Sequence, residues 1–491
     1  MTDPHVLIIG GGLAGLSAGC YALRSGYRTT IVEHNLTLGG VCTAWNRGPY
    51  LIDGCIHWLT GGPFTALYDE LEITSRVALH RLDTWQTYRH LQDGLTIPIT
   101  RDLDALVAEL TRLSPDDASE LARVRAGASE LLALSPEIDA PELVPWRERL
   151  RPIWEMRGVL GSFLHFRKPI HEWAEEHLKS PILRRLFRAL VPDTAPAFFL
   201  LVVLGYLERG YLSRPAGGSA AFRDALATTY RALGGHVQLH ATVDEILVRG
   251  DRAAGVRLAD GAMITADAVI STASAPETVL RLLGGRFEAE PTRERLDQWQ
   301  LFDPIVLASF GVSRAYAGHP SLLTLDGIPP RTIGGRRCDR ATVRVLNDDP
   351  CYAPLGHTVI QAMIPADYDW WATRGPSYHT EKDNVAQAVL ELLDPLFHDL
   401  RSSVRATDVA TPLTFWGMAR SWRGAYEGWM PSGDTWSTHL DKRLAGLRCF
   451  VMAGQWVEPG GGVPTALMSG RQAVQLLCAE EGRVFRATSG A

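Results

Sequence analysis

The chain opens with an apolar run, HVLIIG, followed by a glycine turn, GGGLAG, an Ala- and Leu-rich stretch at helical spacing, LSAGCYALRSGY, and a second apolar run, TTIVE. That order predicts a β-α-β unit over residues 5 to 33. From roughly 100 to 210 the apolar residues recur at helical intervals in DLDALVAELTRL, ASELARVRAGASELLAL and SPILRRLFRALV, with prolines as punctuation, so this region reads as mostly helical. Between 235 and 271 apolar and polar residues alternate among Gly-Asp and Asp-Gly turns, which predicts successive short strands. After a mixed segment from about 276 to 405, a last strand-like run, LRCFVMAG, leads through a second glycine turn into an amphipathic stretch, ALMSGRQAVQLLCAE.

The two ends of the chain thus follow one logic, strand then glycine turn then helix, with no repeat of fixed period and no low-complexity linker between them. The expected fold is α/β: a Rossmann-type domain made from 1–70, 205–275 and 405–491, into which a mixed, partly helical substrate domain, 71–204 and 276–404, is inserted. The run Pro196 to Leu207, PAFFLLVVLGYL, is nearly unbroken apolar sequence but too short to span a bilayer. It reads as a core helix, as the wall of an apolar tunnel, or as a surface for peripheral membrane contact.

Composition narrows the function. A length of 491 residues with 46% hydrophobic and 21% charged residues is ordinary for a multi-lobed globular chain and excludes disorder. With 49 basic against 55 acidic residues, net charge −6, and no basic stretch, nucleic acid is not an expected partner. Seven cysteines without a CxxC pair suggest a reducing compartment, and MTDPHVLIIGGG lacks a basic leader, so a cytoplasmic location is expected. Only four basic residues are lysines (Lys168, Lys179, Lys382 and Lys442), an arginine bias of the kind high-GC bacteria show.

The chemistry starts at Gly10-x-Gly12-x-x-Gly15, which follows a strand, opens a helix, and is trailed by Glu33 at the end of the second strand, 23 residues after Gly10. Gly10 permits the tight turn, Gly12 leaves space for a pyrophosphate, Gly15 lets the helix approach the sheet, and the helix N-terminus at Leu13 and Ala14 offers N–H groups to the anion. Glu33 accepts from ribose hydroxyls in such a site, and His34 stands beside it. This spacing predicts a dinucleotide. It does not separate NAD from FAD.

Past the acid comes Gly39-Gly40, then Pro49-Tyr50-Leu51-Ile52-Asp53-Gly54-Cys55-Ile56-His57. Here the chain resembles the FAD-dependent phytoene desaturase, carotenoid isomerase and retinol saturase group of the amine-oxidase-like flavoproteins. Further blocks resemble that group: Pro215-Ala216-Gly217-Gly218-Ser219, the strand starting at Thr242-Val243, and a second flavin motif, Gly454-Gln455 with Gly460-Gly461-Gly462-Val463-Pro464. The resemblance implies FAD, with Gly39, Gly40, Val41, Val243, Gly454, Gln455, Gly462, Val463 and Pro464 joining the fingerprint residues around it. Two departures stand out: Val41 where many members carry arginine, and Gln455 where many carry an acid.

It also implies an oxidoreductase that adds or removes hydrogen across carbon-carbon bonds of a hydrophobic isoprenoid or polyene. A flavin-dependent double-bond isomerase, an amine oxidase on the same scaffold and a non-catalytic prenyl-lipid carrier are the rivals. The middle of the chain has no second nucleotide fingerprint, so the electron acceptor or donor is left open. His57 is the candidate catalytic residue, against the plainer reading of a buried, hydrogen-bonded histidine. Trp58, Tyr426 and Trp429 are the candidate substrate contacts, with Arg420 and Trp422 in the same run; a packing stripe is their alternative. Cys42 and Cys55 read as core thiols. The substrate cavity is expected to be elongated, lined by Leu, Val, Phe and Trp, and poor in fixed charge.

Overall fold

Short β-branched runs that alternate with helices have to bury both faces of a sheet, and five of them form one parallel sheet. In the computed structural model, which describes residues 3–488 apart from 134–135, 146–157, 288–289, 433–434 and 436–437, its strand order is His236–Gln238, Arg28–Val32, His5–Ile9, Ala268–Ser271 and Phe450–Met452. All four neighbouring pairs are parallel. The helix Leu13–Arg24 crosses from the central strand to the next, as the β-α-β reading requires. It packs on the closing helix, Gly462–Glu481: Ser17 donates to the Leu467 carbonyl at 2.7 Å, and a Cβ on Gly470 would lie 2.5 Å from the Ala14 carbonyl oxygen. Gly19 meets the Tyr230 ring of a third helix, Gly218–Ala232, just as closely. A three-stranded antiparallel sheet, 243–265, lies beside this unit.

A second, seven-stranded sheet has the order Val404–Ala410, Ile305–Val312, Thr358–Pro365, Arg336–Leu346, Leu322–Ile333, Thr84–His90 and Thr96–Thr100. It is antiparallel except where Leu322–Ile333 runs parallel to Thr84–His90. The helices expected between 100 and 210 include Leu103–Leu113, Ala118–Glu130, Pro181–Leu190 and Ala197–Glu208. Two of the sequence-based domain limits do not coincide with element ends. The limit at 204/205 cuts the helix Ala197–Glu208, because the apolar run gives no break there. The strand Val404–Ala410 joins the second sheet although nearly all of it was assigned to the first domain, since strand patterning does not reveal the partner. The last parallel strand is only three residues long, shorter than the run LRCFVMAG suggests. No helix among the described residues is long and apolar enough to cross a membrane.

The two sheets are tied together at Asp53. Its carboxylate is fully buried and accepts from the Ser219 N–H at 2.8 Å, the Ser219 hydroxyl at 2.6 Å and the Cys55 N–H at 3.1 Å. Arg344, on the second sheet and also buried, lies 3.7 Å from it and donates to the carbonyls of Asp53 and Ile56 at 3.0 and 3.1 Å. Gly218 has φ +67°, and a Cβ there would sit 2.5 Å from the Asp53 carboxylate, so the double glycine lets a helix start against a buried charge.

This pair generates a prediction about stability. Removing one partner of a buried ion pair leaves the other charged and unsolvated, so Arg344→Leu is expected to cost about 3–5 kcal/mol. Urea unfolding measures it, and adding Asp53→Asn to the same chain should recover part of the loss; a single-variant loss below about 1 kcal/mol contradicts the role given to the cluster.

Candidate active site

Both strand-glycine-helix turns open on one cavity of about 1380 Å³. A drug-sized ligand needs about 300–1,000 Å³, so the space holds more than one small molecule. The first turn, Gly10 to Ala14, and the second, Gly454 with Gly460 to Pro464, are both in its wall. Each helix starts without a side-chain cap and without an acidic residue in its first turn. Two helix N-termini therefore present unpaired N–H groups and positive dipole ends to the same space, an arrangement suited to an anionic ligand.

The glycines of the first turn differ in what they answer to. Gly10 has φ +97°, and a Cβ on Gly15 would lie 2.0 Å from the Gly10 carbonyl oxygen, so the protein itself requires both. Gly12 has φ −72°, and its Cβ would meet nothing nearer than 3.8 Å. Nothing in the protein demands glycine at 12. A ligand lying across the turn would, and the open space there fits a dinucleotide pyrophosphate.

Glu33 is buried, its carboxylate accepting from the Gly11 N–H at 2.7 Å and the Asn35 N–H at 2.8 Å, with His34 Nδ1 2.9 Å away. A carboxylate has about four acceptor positions, so capacity remains for a ribose hydroxyl. His34 Nε2 reaches the Gly417 carbonyl at 3.0 Å, at the end of the helix Pro412–Ala419. Burial lowers the His34 pKa, but hydrogen bonds to Glu33 and Gly417 and the Glu33 charge outweigh it and raise the value above 6.5.

Of the residues singled out from the sequence, Gly10, Gly12, Leu13, Ala14, Glu33, His34, Gly39, Gly40, Val41, Val243, Gly454, Gln455, Gly462, Val463 and Pro464 all line this cavity, as do His57, Trp58 and Tyr426. Gly15 is packed beneath the turn instead. Trp429 is not in the wall: it is buried, donates to the Trp456 carbonyl at 2.9 Å, and stands edge-on to Trp299 and Trp456. Its indole N–H finds its partner in the core, so the packing alternative holds there. Gln455 uses its amide N–H on the Tyr426 carbonyl at 2.7 Å.

His57 faces the cavity, and burial first, then the cations Arg344 and Arg214, hold its pKa well below 6.5. The imidazole is neutral. The Cys42 thiol is raised well above its ordinary value by a hydrogen bond with Cys55 first and burial second, so it stays protonated.

A different part of the wall is apolar. Phe198, Phe199, Val202, Val203 and Tyr206 of the helix Ala197–Glu208 line the cavity, and Trp58 stands edge-on to Trp85 with ring centres 5.8 Å apart. The same cavity is richer in charge than the sequence suggests. Arg188, Asp193, Arg336, Arg337, Asp339 and Arg340 also border it, and Arg188 pairs with Asp193 at 3.1 Å while Arg336 pairs with Asp303 at 2.7 Å. These come from two segments remote in the chain, so their convergence is invisible to a linear scan.

Two further groups border this space: Arg420, singled out from the sequence with the aromatic run around it, and Glu427, which sequence reasoning missed. Arg420 borders the cavity beside His34, with left-handed backbone, φ 49°, at the end of its helix and its guanidinium over the Trp416 ring. Glu427, in the run GAYEGWM, lines the cavity as a carboxyl whose pKa burial raises to about 7. A single acid among aromatics carries no sequence signal of desolvation.

Comparison with known proteins agrees with this geometry. The family described as flavin containing amine oxidoreductase matches residues 13–478. An all-trans-zeta-carotene desaturase of Myxococcus xanthus is 25% identical over 98% of this chain and 94% of its own, and a neurosporene-forming phytoene desaturase of Rhodobacter capsulatus is 24% identical over 96% and 94%. Among solved structures, an oxidoreductase from Methanosarcina mazei superposes with TM-score 0.64 at 16% identity, covering 96% of this chain and 100% of that one. Cyclohexylamine oxidase from Brevibacterium oxydans gives TM-score 0.60 at 16% identity, covering 98% and 100%.

The His34 bridge generates a pH prediction. Because its folded pKa lies above 6.5, its contribution to stability is complete below 6.5 and is lost as pH rises through the folded value. Melting temperatures across that range should therefore show a decline with rising pH in the wild type that His34→Gln lacks. Identical profiles for the two proteins would remove the charged bridge.

Proposed function

The chain belongs to the flavin containing amine oxidoreductase family, and we propose that it is an FAD-dependent oxidoreductase that desaturates or saturates carbon-carbon bonds of a hydrophobic polyene of the carotene class. One observation carries the reading: the two uncapped helix N-termini and the apolar face of the helix Ala197–Glu208 border a single cavity. A cofactor held at the first can meet an apolar chain held at the second. The carotene desaturases among the relatives align over nearly their whole length, which supports the same substrate class.

In this reading Gly10, Gly12 and the N–H groups at Leu13 and Ala14 hold the pyrophosphate, and Glu33, fixed by His34, holds the adenosine ribose. Gly39, Gly40 and Val41 close over the same stretch, Val243 meets the adenine through its backbone, and Gly454, Gln455, Gly462, Val463 and Pro464 border the ribityl chain and ring. Arg420 supplies the positive charge that Val41 lacks. When bound, FAD supplies hydride exchange. The protein's share is placement and exclusion of water: Trp58, Phe199, Val202 and Tyr206 enclose one bond of the polyene. His57, neutral, serves as a hydrogen-bonding wall and not as an acid.

Apolar enclosure favours a polyene because each buried methylene contributes about 0.8 kcal/mol, whereas an unpaired buried polar group costs about 1–3 kcal/mol. A non-catalytic carrier has no use for a glycine at 12 or for Glu33, so these residues favour an enzyme.

Gly12→Val should abolish FAD retention, since its side chain fills the space above the turn. Glu33→Ala should weaken retention by about 1.5–3 kcal/mol, on the order of 10- to 150-fold in affinity, and Arg420→Gln should weaken it too. Flavin content after purification and the Kd of reconstitution measure all three; unchanged binding in Gly12→Val and Glu33→Ala would remove the site. For substrate class, carotenes, retinoids, shorter terpenoids and hydrophobic amines are mixed anaerobically with the oxidised or chemically reduced holoenzyme, and the flavin spectrum is followed. A response to amines alone would replace the polyene by an amine.

A further inference from the structure

From the placement of Glu427, and resting on the reading of the cavity as a flavin site, we infer that its carboxyl is the group that exchanges the proton with the substrate carbon adjacent to the one that exchanges hydride. The backbone places Glu427 against the second glycine turn. A Cβ on Gly461 would lie 2.0 Å from the Glu427 carbonyl oxygen, so that turn and this residue are in direct backbone contact. On either side the strap is clamped to the same turn: the Gln455 amide donates to the Tyr426 carbonyl at 2.7 Å, the Gly460 N–H donates to the Trp429 carbonyl at 2.9 Å, and the Trp429 indole donates to the Trp456 carbonyl at 2.9 Å. Its other edge is held by the Phe302 N–H on the Gly428 carbonyl at 2.9 Å and the Met430 N–H on the Gln300 carbonyl at 2.8 Å. The residue is fixed at the turn that borders the flavin ring in this reading, and it lines the cavity.

The carboxyl has no hydrogen-bond or ion-pair partner among the described residues, unlike the other acids nearby. Asp303, on the segment packed against the strap, is paired with Arg336 at 2.7 Å, and Glu458, beyond the turn, is paired with Lys442 at 3.1 Å. On the strap's own side Arg423 is paired with Asp369. The other titratable groups in this region are the Cys55 thiol and Tyr426, whose hydroxyl is raised well above 10 by burial first and then by the neighbouring Glu427 and Asp303. The Tyr426 hydroxyl remains protonated at neutral pH. Burial brings the pKa of the unpaired Glu427 carboxyl to about 7, where it serves equally as acid and as base.

In the desaturating direction one C–H bond breaks toward the cofactor as hydride. The C–H bond on the neighbouring carbon breaks with its electron pair forming the new π bond, and its proton passes to a Glu427 carboxylate oxygen. The substrate thus loses one hydride and one proton: Glu427 takes the proton, and bound oxidised FAD would supply the acceptor for the hydride and its electron pair. Saturation runs the same exchange in reverse from the protonated carboxyl.

The test uses holoenzyme and two readouts. The first needs no substrate: absorbance of the bound flavin is titrated with pH, and a carboxyl beside the ring should give a perturbation with its midpoint near 7. That midpoint should vanish in Glu427→Gln and persist in Glu427→Asp. The second follows anaerobic flavin reduction by phytoene and by zeta-carotene. In the wild type the rate should rise through the same pH range; Glu427→Gln should lose that limb and about 100-fold or more in rate, while FAD content is unchanged. A midpoint that persists in Glu427→Gln, or a pH limb and rate that survive in it, overturns the assignment. If neither carotene reduces the wild-type flavin, it is the substrate class that fails, and the spectral titration still decides the carboxyl.

Discussion

A buried carboxylate must be satisfied where it stands, and the rest of the architecture accommodates Asp53. Its carboxylate accepts from its own turn at Cys55, from the start of the helix Gly218–Ala232 and from the Tyr352 hydroxyl, and it is ion-paired with Arg344 on the second sheet. Because Ser219 Oγ both donates to Asp53 at 2.6 Å and accepts from the Ile56 N–H at 2.7 Å, one hydroxyl fixes the segment from two sides. The segment so fixed, Gly54 to His57, runs straight into the cavity wall. The same charges act on the site, since Arg344 and Arg214 are the cations that help keep His57 neutral. The cluster thus sets the position of the wall, and through Arg344 it adds to the burial that keeps the histidine in that wall neutral.

The glycines divide by cause. Gly19 and Gly470 are demanded by helices meeting at contact distance and Gly15 by the Gly10 carbonyl of its own turn, and replacing them would push apart elements that carry the core. Gly12 is demanded by no neighbour at all. That asymmetry gives the fingerprint its meaning: a packing glycine would be recognisable by the atom it avoids, whereas this one is explained by the space it leaves. Gly461 adds a third cause, since it permits a loop from far upstream in the fold to lie flat on the second turn and so brings Glu427 to the cavity.

What was legible in the sequence is what the chain does locally. The first turn, its helix and Glu33 lie within one β-α-β unit, so their spacing alone encodes the geometry. The second turn was legible for the same reason. Of the apolar wall only pieces were legible, Trp58, Tyr426 and the run Pro196 to Leu207, and not what they meet. The wall draws on Trp58, Trp85, the helix Ala197–Glu208 and the strands 305–365, and the pairing of Leu322–Ile333 with Thr84–His90 joins segments that no periodicity connects. Trp429 and Tyr426 share one short run, yet one ring packs in the core and the other faces the cavity. The charged residues around Arg340 and Asp193 likewise meet only in three dimensions. Glu427 shows the limit most sharply: its chemistry lies in the absence of a partner, which a sequence does not record.

The helix Ala197–Glu208 explains how the apolar wall is kept without a separate device to maintain it. It is apolar all round, with Leu200, Leu201, Leu204 and Leu207 buried in the helical lobe while Phe199 and Val202 look into the cavity. The core-facing leucines hold it in place, and a Cβ on Gly205 would lie 2.2 Å from the Ala128 carbonyl oxygen, so it sits as close as a helix can to its neighbour. Exposed to water, the cavity-facing side chains would be an unfavourable apolar surface, and an apolar ligand bound against them would remove that surface from water in the same step. Fold stability and substrate preference therefore rest on opposite faces of one helix. The cavity face is free to vary in size with the substrate while the core face is not, so the length and shape of the enclosed chain can be set without disturbing either glycine turn.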